Sequence, residues 1–550
     1  MVRQALRANP GRRQVSVGQS IPAPTGGWDA RNPLAAMPVQ NAVTLDNMIP
    51  RAGSVDLRRG FVEQASGFSG PVESLMAYRG AASGDRLFAA AGGALVDATL
   101  ASTSPPPPVW TGASSDRWNH TAFANAAGAW LIACNGADPP IGYDGGAWSV
   151  LGLAGAGPPA LVPGALASVF AHKGRLYFLE AGSLRVWVPA AGAVGGACAL
   201  VDLASIFSKG GRLVCGGSWS WQFGVGADDF AVFATDQGQV AIWQGSDPTS
   251  AADWSLVGVY DFGPPLGPRA LLKFGGDLAL VTADGVIPLS RGLKLDRGAQ
   301  QEVALTGAIM NAFAQAAKAH GANHGWQGIL YPGLTASPSN PEAAGGSLAI
   351  FNVPLVEGGA AWQFVQNVLT GAWCRFTGID AICWELANQR LYFGAAGGVY
   401  QWDVGSDDDG APIVATVQQA FSAFGAPGRQ KRFTMIRALL NTSGLVAPAL
   451  DILADYASGT PAAVATVVDA AATAQAIRYD WTGVGAVGFV GAPIMQINLA
   501  GDQQVFVGVE AAGPDWIGSG DGYDISAVAP FEVPCQLIGF DLVFEPGGVL

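Results

Sequence analysis

The sequence predicts an all-β fold: a β-propeller-like repeat array of about seven blades, with an extended N-terminal segment and a C-terminal β domain. Three observations favour this fold. The 550 residues include 76 Gly and 35 Pro, a turn-rich composition that is typical of many short strands. A unit of three short strands recurs along the chain, with aromatic residues at corresponding points. The 17 Trp and 25 Phe supply enough apolar surface for large buried cores, which argues against disorder.

Each repeat begins with an apolar strand and a turn. A strand follows in which Gly or Asn precedes a Leu-aromatic pair by one or two intervening residues, often including Arg, and then a third strand. The clearest copy contains Ala167–His172, Gly174–Phe178 and Ser183–Trp187. Other copies begin near residues 72, 120, 230, 270 and 379, and a weaker unit at 325–376 fills the last gap. The resulting spacing of about 45–55 residues is typical of one four-stranded propeller blade.

One blade cannot bury both of its faces, so the blades must stack radially, and a closed ring leaves few exposed strand edges. We interpret the recurrent aromatic residues as contacts between blades: Tyr143, Trp187, Trp243 and Tyr400. The alternative is a row of β-sandwiches whose sequences are similar by accident.

The repeats set the expected domain bounds. Residues 1–70 form an extended docking segment, 71–410 the propeller-like domain and 411–550 the C-terminal β domain. Within the propeller, 302–320 has helical spacing of apolar residues and is expected to be a helical insertion that decorates the fold or contacts another subunit. The acidic stretch 405–410 is interpreted as a solvated linker.

Charge is distributed unevenly along the chain. Residues 1–60 contain eight Arg and three Asp, whereas the whole chain has a net charge of −13. The acidic body argues against a protein that grips nucleic acid through phosphates. The basic head is a candidate docking segment, and a solvated arm is the alternative.

Two features bear on location. The arginines near the N-terminus are not followed by an apolar run, so no secretory signal is expected and the protein is made in the cytoplasm. The charge-free stretch 481–501 is interrupted by five Gly and Pro residues, which favours a strand or hairpin and predicts no membrane-spanning segment.

No pattern of residues predicts catalysis, a cofactor or a metal. The letters GxGxxG occur at 483–488, but no helical pattern follows them. Asp228, Asp229 and 407–409 are best explained as solvated turn residues. His320 and His324 have helical spacing, but flanking glycines favour a surface or packing role. The six Cys are scattered and are expected to be free, buried thiols.

The N-terminal region contains three short motifs. Residues 26–38 read GGWDARNPLAAMP, 42–50 read AVTLDNMIP and 55–61 read VDLRRGF. This order resembles the opening of the tail nozzle, or packaged-DNA stabilisation, proteins of short-tailed, podovirus-like phages. The basic stretch 429–433 resembles, less specifically, the segment that leads into the C-terminal domain of that group. The motifs cover about 35 residues, and the order and size of the later domains agree with the group.

The resemblance implies a non-enzymatic, structural virion protein of the phage tail, synthesised in the host cytoplasm. It implies a homohexameric nozzle ring that attaches below the adaptor ring, with tail fibres or spikes as further candidate partners, and DNA that passes through during ejection without specific binding. The alternative is a glycan-binding or glycan-degrading propeller, an adhesin or depolymerase. Candidate partner-interface residues are Trp28, Arg31, Pro33, Leu45, Asn47, Arg58, Arg59, Arg429, Lys431 and Arg432.

Overall fold

The computed structural model describes residues 16–80, 84–222, 227–333 and 346–424, together with strand segments between 429 and 549. The chain divides into two compact units. The propeller unit comprises 28–31 and 58–413, and the terminal unit comprises 1–27, 32–57 and 414–550. These bounds differ from those expected from the sequence because the N-terminal segment is shared between the two units.

In the described part of the propeller unit, the strands form seven antiparallel groups, which we number as blades in chain order. Blades 1 to 5 are separate sheets, and blades 6 and 7 belong to one larger sheet. Blade 1 contains the strands Ser74–Tyr78, Arg86–Ala91, Ala94–Asp97 and Pro108–Thr111. Blade 2 contains Asn119–Asn125, Gly128–Cys134, Ile141–Tyr143 and Trp148–Val150. Blade 3 contains Leu166–His172, Arg175–Glu180, Arg185–Pro189 and Gly196–Asp202, and blade 4 contains Leu213–Gln222, Ala227–Thr235, Gln239–Gln244 and Ser255–Asp261. The two-residue strand Leu153–Ala154 adds in parallel to the outer edge of blade 3.

Blade 5 has three strands, Leu271–Phe274, Asp277–Thr282 and Gly285–Pro288. Blade 6 has four, namely Gln327–Tyr331, Leu348–Pro354, Ala361–Asn367 and Trp373–Phe376. Blade 7 contains Cys383–Ala387, Arg390–Gly394, Gly398–Trp402 and, as its outer strand, Phe61–Ser66. The weak sequence unit at 325–376 is therefore a complete blade, and the all-β propeller prediction is confirmed.

Neighbouring blades bury their faces against each other. Tyr143 and Trp148 of blade 2 pack edge-on against Phe88 of blade 1, with ring centroids 4.8 and 5.1 Å apart. Trp187 of blade 3 is fully buried in the core shared with blade 2. Trp243 packs on the core between blades 3 and 4. Tyr143, Trp187 and Trp243 thus pack between blades, as the repeats predicted, whereas Tyr400 packs on Phe61 and Phe393 of its own blade.

The ring closes between blades 7 and 1. A single core contains Cys383, Tyr392 and Val399 of blade 7 together with Leu75 and Leu87 of blade 1. The outer strand of blade 7 comes from the start of the unit, with Phe61 opposite Trp402 and Ser66 opposite Gly398. The two ends of the propeller sequence are therefore held in one sheet.

A buried ion pair reinforces this closure. The Arg58 side chain has no exposed surface, and its guanidinium donates to both carboxylate oxygens of Asp408 at 2.7 and 2.6 Å. It also donates to the carbonyl of Thr377 at 3.2 Å and lies 5.7 Å from the Phe376 ring centroid. The expectation that 405–410 is a solvated linker is wrong for Asp408, whose side chain is 11% exposed because it neutralises Arg58.

Gly60 lies where the backbone that follows Arg58 passes close to the backbone of Asp407. A Cβ at this position would be 1.5 Å from the carbonyl oxygen of Asp407, which no side chain can tolerate. Phe61, the next residue, packs edge-on against Phe393 and Tyr400 at 5.1 and 5.4 Å. The close approach of the two backbones therefore requires glycine here.

A helical insertion follows blade 5. It contains α1 (Leu289–Gly292), two 3-10 turns (Gln300–Glu302 and Leu305–Ile309) and α2 (Met310–His320). The expected helix over 302–320 is thus α-helical only from Met310. Its first part is 3-10 because it caps neighbouring groups: the Thr306 hydroxyl accepts from the Val286 amide at 3.2 Å, and the Leu305 carbonyl accepts from the Trp373 indole at 3.2 Å. The buried face of α2 includes Phe313, which packs against Trp326.

The terminal unit joins N-terminal strands to C-terminal ones. Val17–Pro22 pairs with Cys535–Val549, which pairs in turn with Arg429–Thr442. Asn41–Asp46 pairs with the end of Ala411–Gln419. The other strands that the structure describes are Gly27–Trp28, Met48–Pro50, Val55–Leu57, Asp407–Asp408, Ala449–Ala454, Ala465–Asp469, Ala476–Asp480, Gln496–Ile497, Gln504–Phe506, Val509–Glu510 and Tyr523–Phe531. Further 3-10 turns lie at Leu34–Ala36 and Pro163–Ala165.

Several features singled out in the sequence lie outside the described residues. These are the arginines before residue 16, the GxGxxG letters at 483–488 and, apart from Gln496–Ile497, the stretch 481–501. Among the helices that the structure does describe, none has the length and apolar character needed to cross a membrane.

The Arg58–Asp408 pair gives a stability prediction. Asp408→Asn leaves the Arg58 charge buried without a charged partner, so the free energy of unfolding should fall by about 3 kcal/mol. Asp409→Asn is the matched control, because Asp409 is exposed and its positive φ of 53° suits asparagine. The control should change stability by less than about 0.5 kcal/mol. Equal effects in urea unfolding of the two variants would contradict the role assigned to the pair.

Candidate functional site

The interface residues predicted from the sequence are only partly on the surface. Trp28 is 9% exposed; its ring meets Phe364 edge-on at 5.3 Å, and the Arg375 guanidinium lies 5.6 Å from its centroid. Arg31 and Pro33 are exposed. The Arg31 amide donates to the Asp29 carboxylate at 3.0 Å, which fixes the backbone and leaves the guanidinium at the surface.

The other predicted interface residues also include buried ones. Leu45 and Asn47 are buried in the terminal unit, where Asn47 adopts a φ of 59° and its side-chain amide donates to the Val414 carbonyl at 2.7 Å. Arg58 is buried as described, and Arg59 is half-buried with its Nε 3.4 Å from the Gly405 carbonyl. Arg429, Lys431 and Arg432 lie in the strand Arg429–Thr442, and their side chains are outside the described set.

The propeller axis carries a cluster of charged residues that the sequence analysis did not single out. The first strands of neighbouring blades contact one another around the ring, so they are the innermost strands. The segments that lead into them come together at one end of the axis. Arg269, before blade 5, donates from Nη2 to the Ser74 hydroxyl of blade 1 at 2.7 Å and to the Trp118 carbonyl before blade 2 at 2.9 Å. One guanidinium thus ties three blades together across the axis.

Arg117 forms a second link at this end. Its Nε and Nη2 donate to one carboxylate oxygen of Glu73 at 3.1 and 3.0 Å, and Nη2 also contacts Glu357 of the hairpin turn in blade 6 at 2.5 Å. A cavity of about 230 Å³ is lined by Arg117, Glu357, Arg269 and His324, among other residues. The lining therefore contains two guanidinium groups and one carboxylate, and Glu73 binds Arg117 next to the cavity.

His324 is held without charge in this cavity. Burial, reinforced by the nearby Arg269 and Arg117 guanidinium groups, lowers the pKa of His324 to about 3. The ring is therefore a neutral hydrogen-bonding group at physiological pH. The prediction that His320 and His324 do not form a metal pair remains a prediction, although no group of three potential metal-binding side chains occurs in the part of the chain that was described.

Below this cluster lies a second axial cavity, also of about 230 Å³, lined by residues of the inner strands of blades 1 to 6. His120 of blade 2 reaches past the inner strand of blade 1, with Nε2 3.2 Å from a carboxylate oxygen of Glu385 in blade 7. Gln327 of blade 6 bonds the backbone of Trp384 in blade 7 at 2.8 and 3.1 Å. Side chains of several blades therefore occupy the axis and leave small cavities along it.

The remaining sequence candidates have structural partners. Asp228 contacts Lys173 at 3.0 Å, and Asp229 accepts from the Ser220 hydroxyl at 2.5 Å. The six cysteines are free and buried, as expected. A signal for the axial cluster was present in the repeats: a charged residue directly precedes the inner strand of blade 1, and Arg117 and Arg269 stand two residues before those of blades 2 and 5.

No protein-family model matches the chain, and a search of curated proteins finds no match. Similar solved structures include BBS1N in complex with ARL6DN, at 9% identity over 62% of this chain and 96% of that chain, with a TM-score of 0.37. YCF48 from Cyanidioschyzon merolae is 11% identical over 64% and 98% of the two chains, with a TM-score of 0.30. A mutant Trypanosoma rangeli sialidase displaying trans-sialidase activity is 10% identical over 76% and 91%, with a TM-score of 0.26. These likenesses concern the fold alone.

The low pKa of His324 gives a pH prediction. The unfolded state takes up a proton near pH 6.5 and the folded state does not, so stability is lost as the pH falls below about 6.5. Between pH 7.5 and pH 5, wild type should lose about 2 kcal/mol more than His324→Gln in urea unfolding. His320→Gln is the control for the substitution itself, and its free energy of unfolding at pH 7.5 should be close to that of wild type, because the backbone carbonyl of His320, and not its ring, accepts from the Trp326 indole. Identical profiles for wild type and His324→Gln would show that His324 is not desolvated.

Proposed function

We propose that this chain is a structural virion protein of a short-tailed phage, and that six copies form the tail nozzle ring that closes and extends the DNA-ejection channel. In this proposal the protein works by assembly and not by catalysis. The glycan-binding or glycan-degrading propeller remains the alternative reading of the sequence.

The observation that carries the proposal is the physical role of the motif residues. The third motif supplies the buried Arg58, the obligatory Gly60 and Phe61, which begins the strand that completes blade 7. The other two motifs supply Trp28 and Asn47, both buried. Residues with such strict packing roles specify an architecture, so a shared motif supports a shared architecture with the phage group that the sequence resembles.

The charge and the axis of the propeller also support a channel built between subunits. Arg269 crosses the axis of the propeller from blade 5 to Ser74 of blade 1 and to the Trp118 carbonyl before blade 2, so DNA would pass along outer surfaces in a ring. Six copies with a net charge of −13 would carry about −78. A negative lumen repels phosphates and lets DNA slide without specific binding.

The oligomer and its location test the proposal. We expect native mass spectrometry of the purified chain, with or without the adaptor ring, to show a six-copy species. Electron microscopy of the virus whose genome encodes the sequence should place that ring on the tail axis. A chain that is absent from the particle, or that lies outside the axial tube, would rule out the nozzle assignment.

Arg31 provides a mutational test of the docking surface. Its side chain is exposed next to the buried anchor Trp28, so Arg31→Glu should weaken ring assembly or attachment by several kcal/mol without unfolding the chain. Arg390→Glu, an exposed arginine of blade 7, is the control and should assemble normally. Equal incorporation of both variants into particles would mean that Arg31 does not contact a partner.

A further inference from the structure

A cleft of about 650 Å³ opens where blade 5 departs from the four-stranded plan. Trp221 lies near the end of the inner strand of blade 4, and Phe274 and Asp277 lie at the first turn of blade 5. Ser290 and Arg291 come from α1 of the helical insertion that follows the last strand of this blade. Insertions in one repeat of an array commonly build its binding face, and this volume is typical of small-molecule sites.

Aromatic rings form the apolar part of the cleft. Trp221 is half-buried, and its ring centroid lies 5.3 Å from that of the buried Trp219, which supports it from behind. Phe274 supplies a second, half-buried ring to the lining. The negative face of an aromatic ring attracts polarised C–H groups, so a flat face made of C–H bonds fits against such a surface.

Two charged groups of opposite sign, a carboxylate and a guanidinium, complete the lining of the cleft. The Asp277 carboxylate accepts at Oδ1 from the Leu278 amide at 2.8 Å and the Ser290 amide at 3.3 Å, and at Oδ2 from the Ser290 hydroxyl at 2.5 Å. Oδ2 can accept one further hydrogen bond. Arg291 is exposed and forms no ion pair with any residue in the described ranges, so its guanidinium is available as a donor.

We propose that this cleft binds a saccharide. Neighbouring hydroxyl groups donate and accept at once, which matches a fixed carboxylate beside a free guanidinium, and the C–H face of a sugar ring matches Trp221. A nucleotide also stacks on tryptophan, but its phosphates would meet Asp277 in a chain whose net charge is −13. The site adds a binding activity to the proposed assembly role and does not depend on it.

Saturation-transfer NMR on the full chain tests the site. The probes are glucose, galactose, mannose, N-acetylglucosamine, N-acetylgalactosamine and glucuronate, each at high concentration, with adenosine monophosphate as the competing class. At least one sugar should show transfer to its ring protons. Trp221→Ala should abolish the transfer, Trp221→Phe should retain a weaker signal, and Arg291→Gln should weaken binding by at least about tenfold.

Matched variants keep the result interpretable. Arg390→Gln, which alters an exposed arginine of blade 7, should leave the signal unchanged, and each variant should first show the thermal unfolding of wild type. Absence of transfer to all six sugars, equal transfer in Trp221→Ala, or binding of adenosine monophosphate alone would each overturn the saccharide site. None of these outcomes bears on six-copy assembly, so the two proposals fail separately.

Discussion

Arg58 and Asp408 lie 350 residues apart in the sequence, and their bidentate ion pair joins the two ends of the propeller. A stack of blades becomes a ring only if its last blade meets its first, because otherwise two faces and two strand edges stay open to water. The strand Phe61–Ser66 satisfies the edge of blade 7, and the shared core with blade 1 buries the faces. The Arg58 side chain is fully buried, so its charge can be tolerated only while Asp408 stays beside it.

Much of the ring was predictable from local pattern. Each hairpin repeats the same alternation of apolar strand and turn, and Trp187 marks a blade contact that the structure confirms. Closure was not predictable in this way. The strand Phe61–Ser66 pairs with residues more than 330 positions later, and nothing in its local sequence identifies that partner. For the same reason Arg58 was interpreted as a surface docking residue, whereas its partner lies at the far end of the unit.

The axial cluster and the cleft could not be predicted from the sequence for a different reason. Arg117, Arg269 and His324 come from three separate repeats and meet only because the inner strands converge on one axis. In the sequence each is a single polar residue near an apolar strand. The cleft likewise combines Trp221 of one blade with Arg291 of the insertion after the next. The helical spacing of apolar residues at 302–320 identified an insertion in the repeat pattern. Only the folded structure shows which side chains this insertion brings together with those of blade 4.

These two regions differ in how their charges are used. At the axis, Arg117 and Arg269 donate to carboxylates, a hydroxyl and backbone carbonyls, and these hydrogen bonds hold the blades together. In the cleft, Arg291 is exposed and has no ion-pair partner among the residues that the structure describes, while Asp277 is fixed from behind by Ser290. Charged groups that are already hydrogen-bonded within the protein stabilise the fold but have little capacity left to bind a ligand. A carboxylate held in place and an exposed guanidinium in the same cleft can both bond to a ligand. Binding is therefore expected at the irregular blade, and the axis serves the closure of the ring.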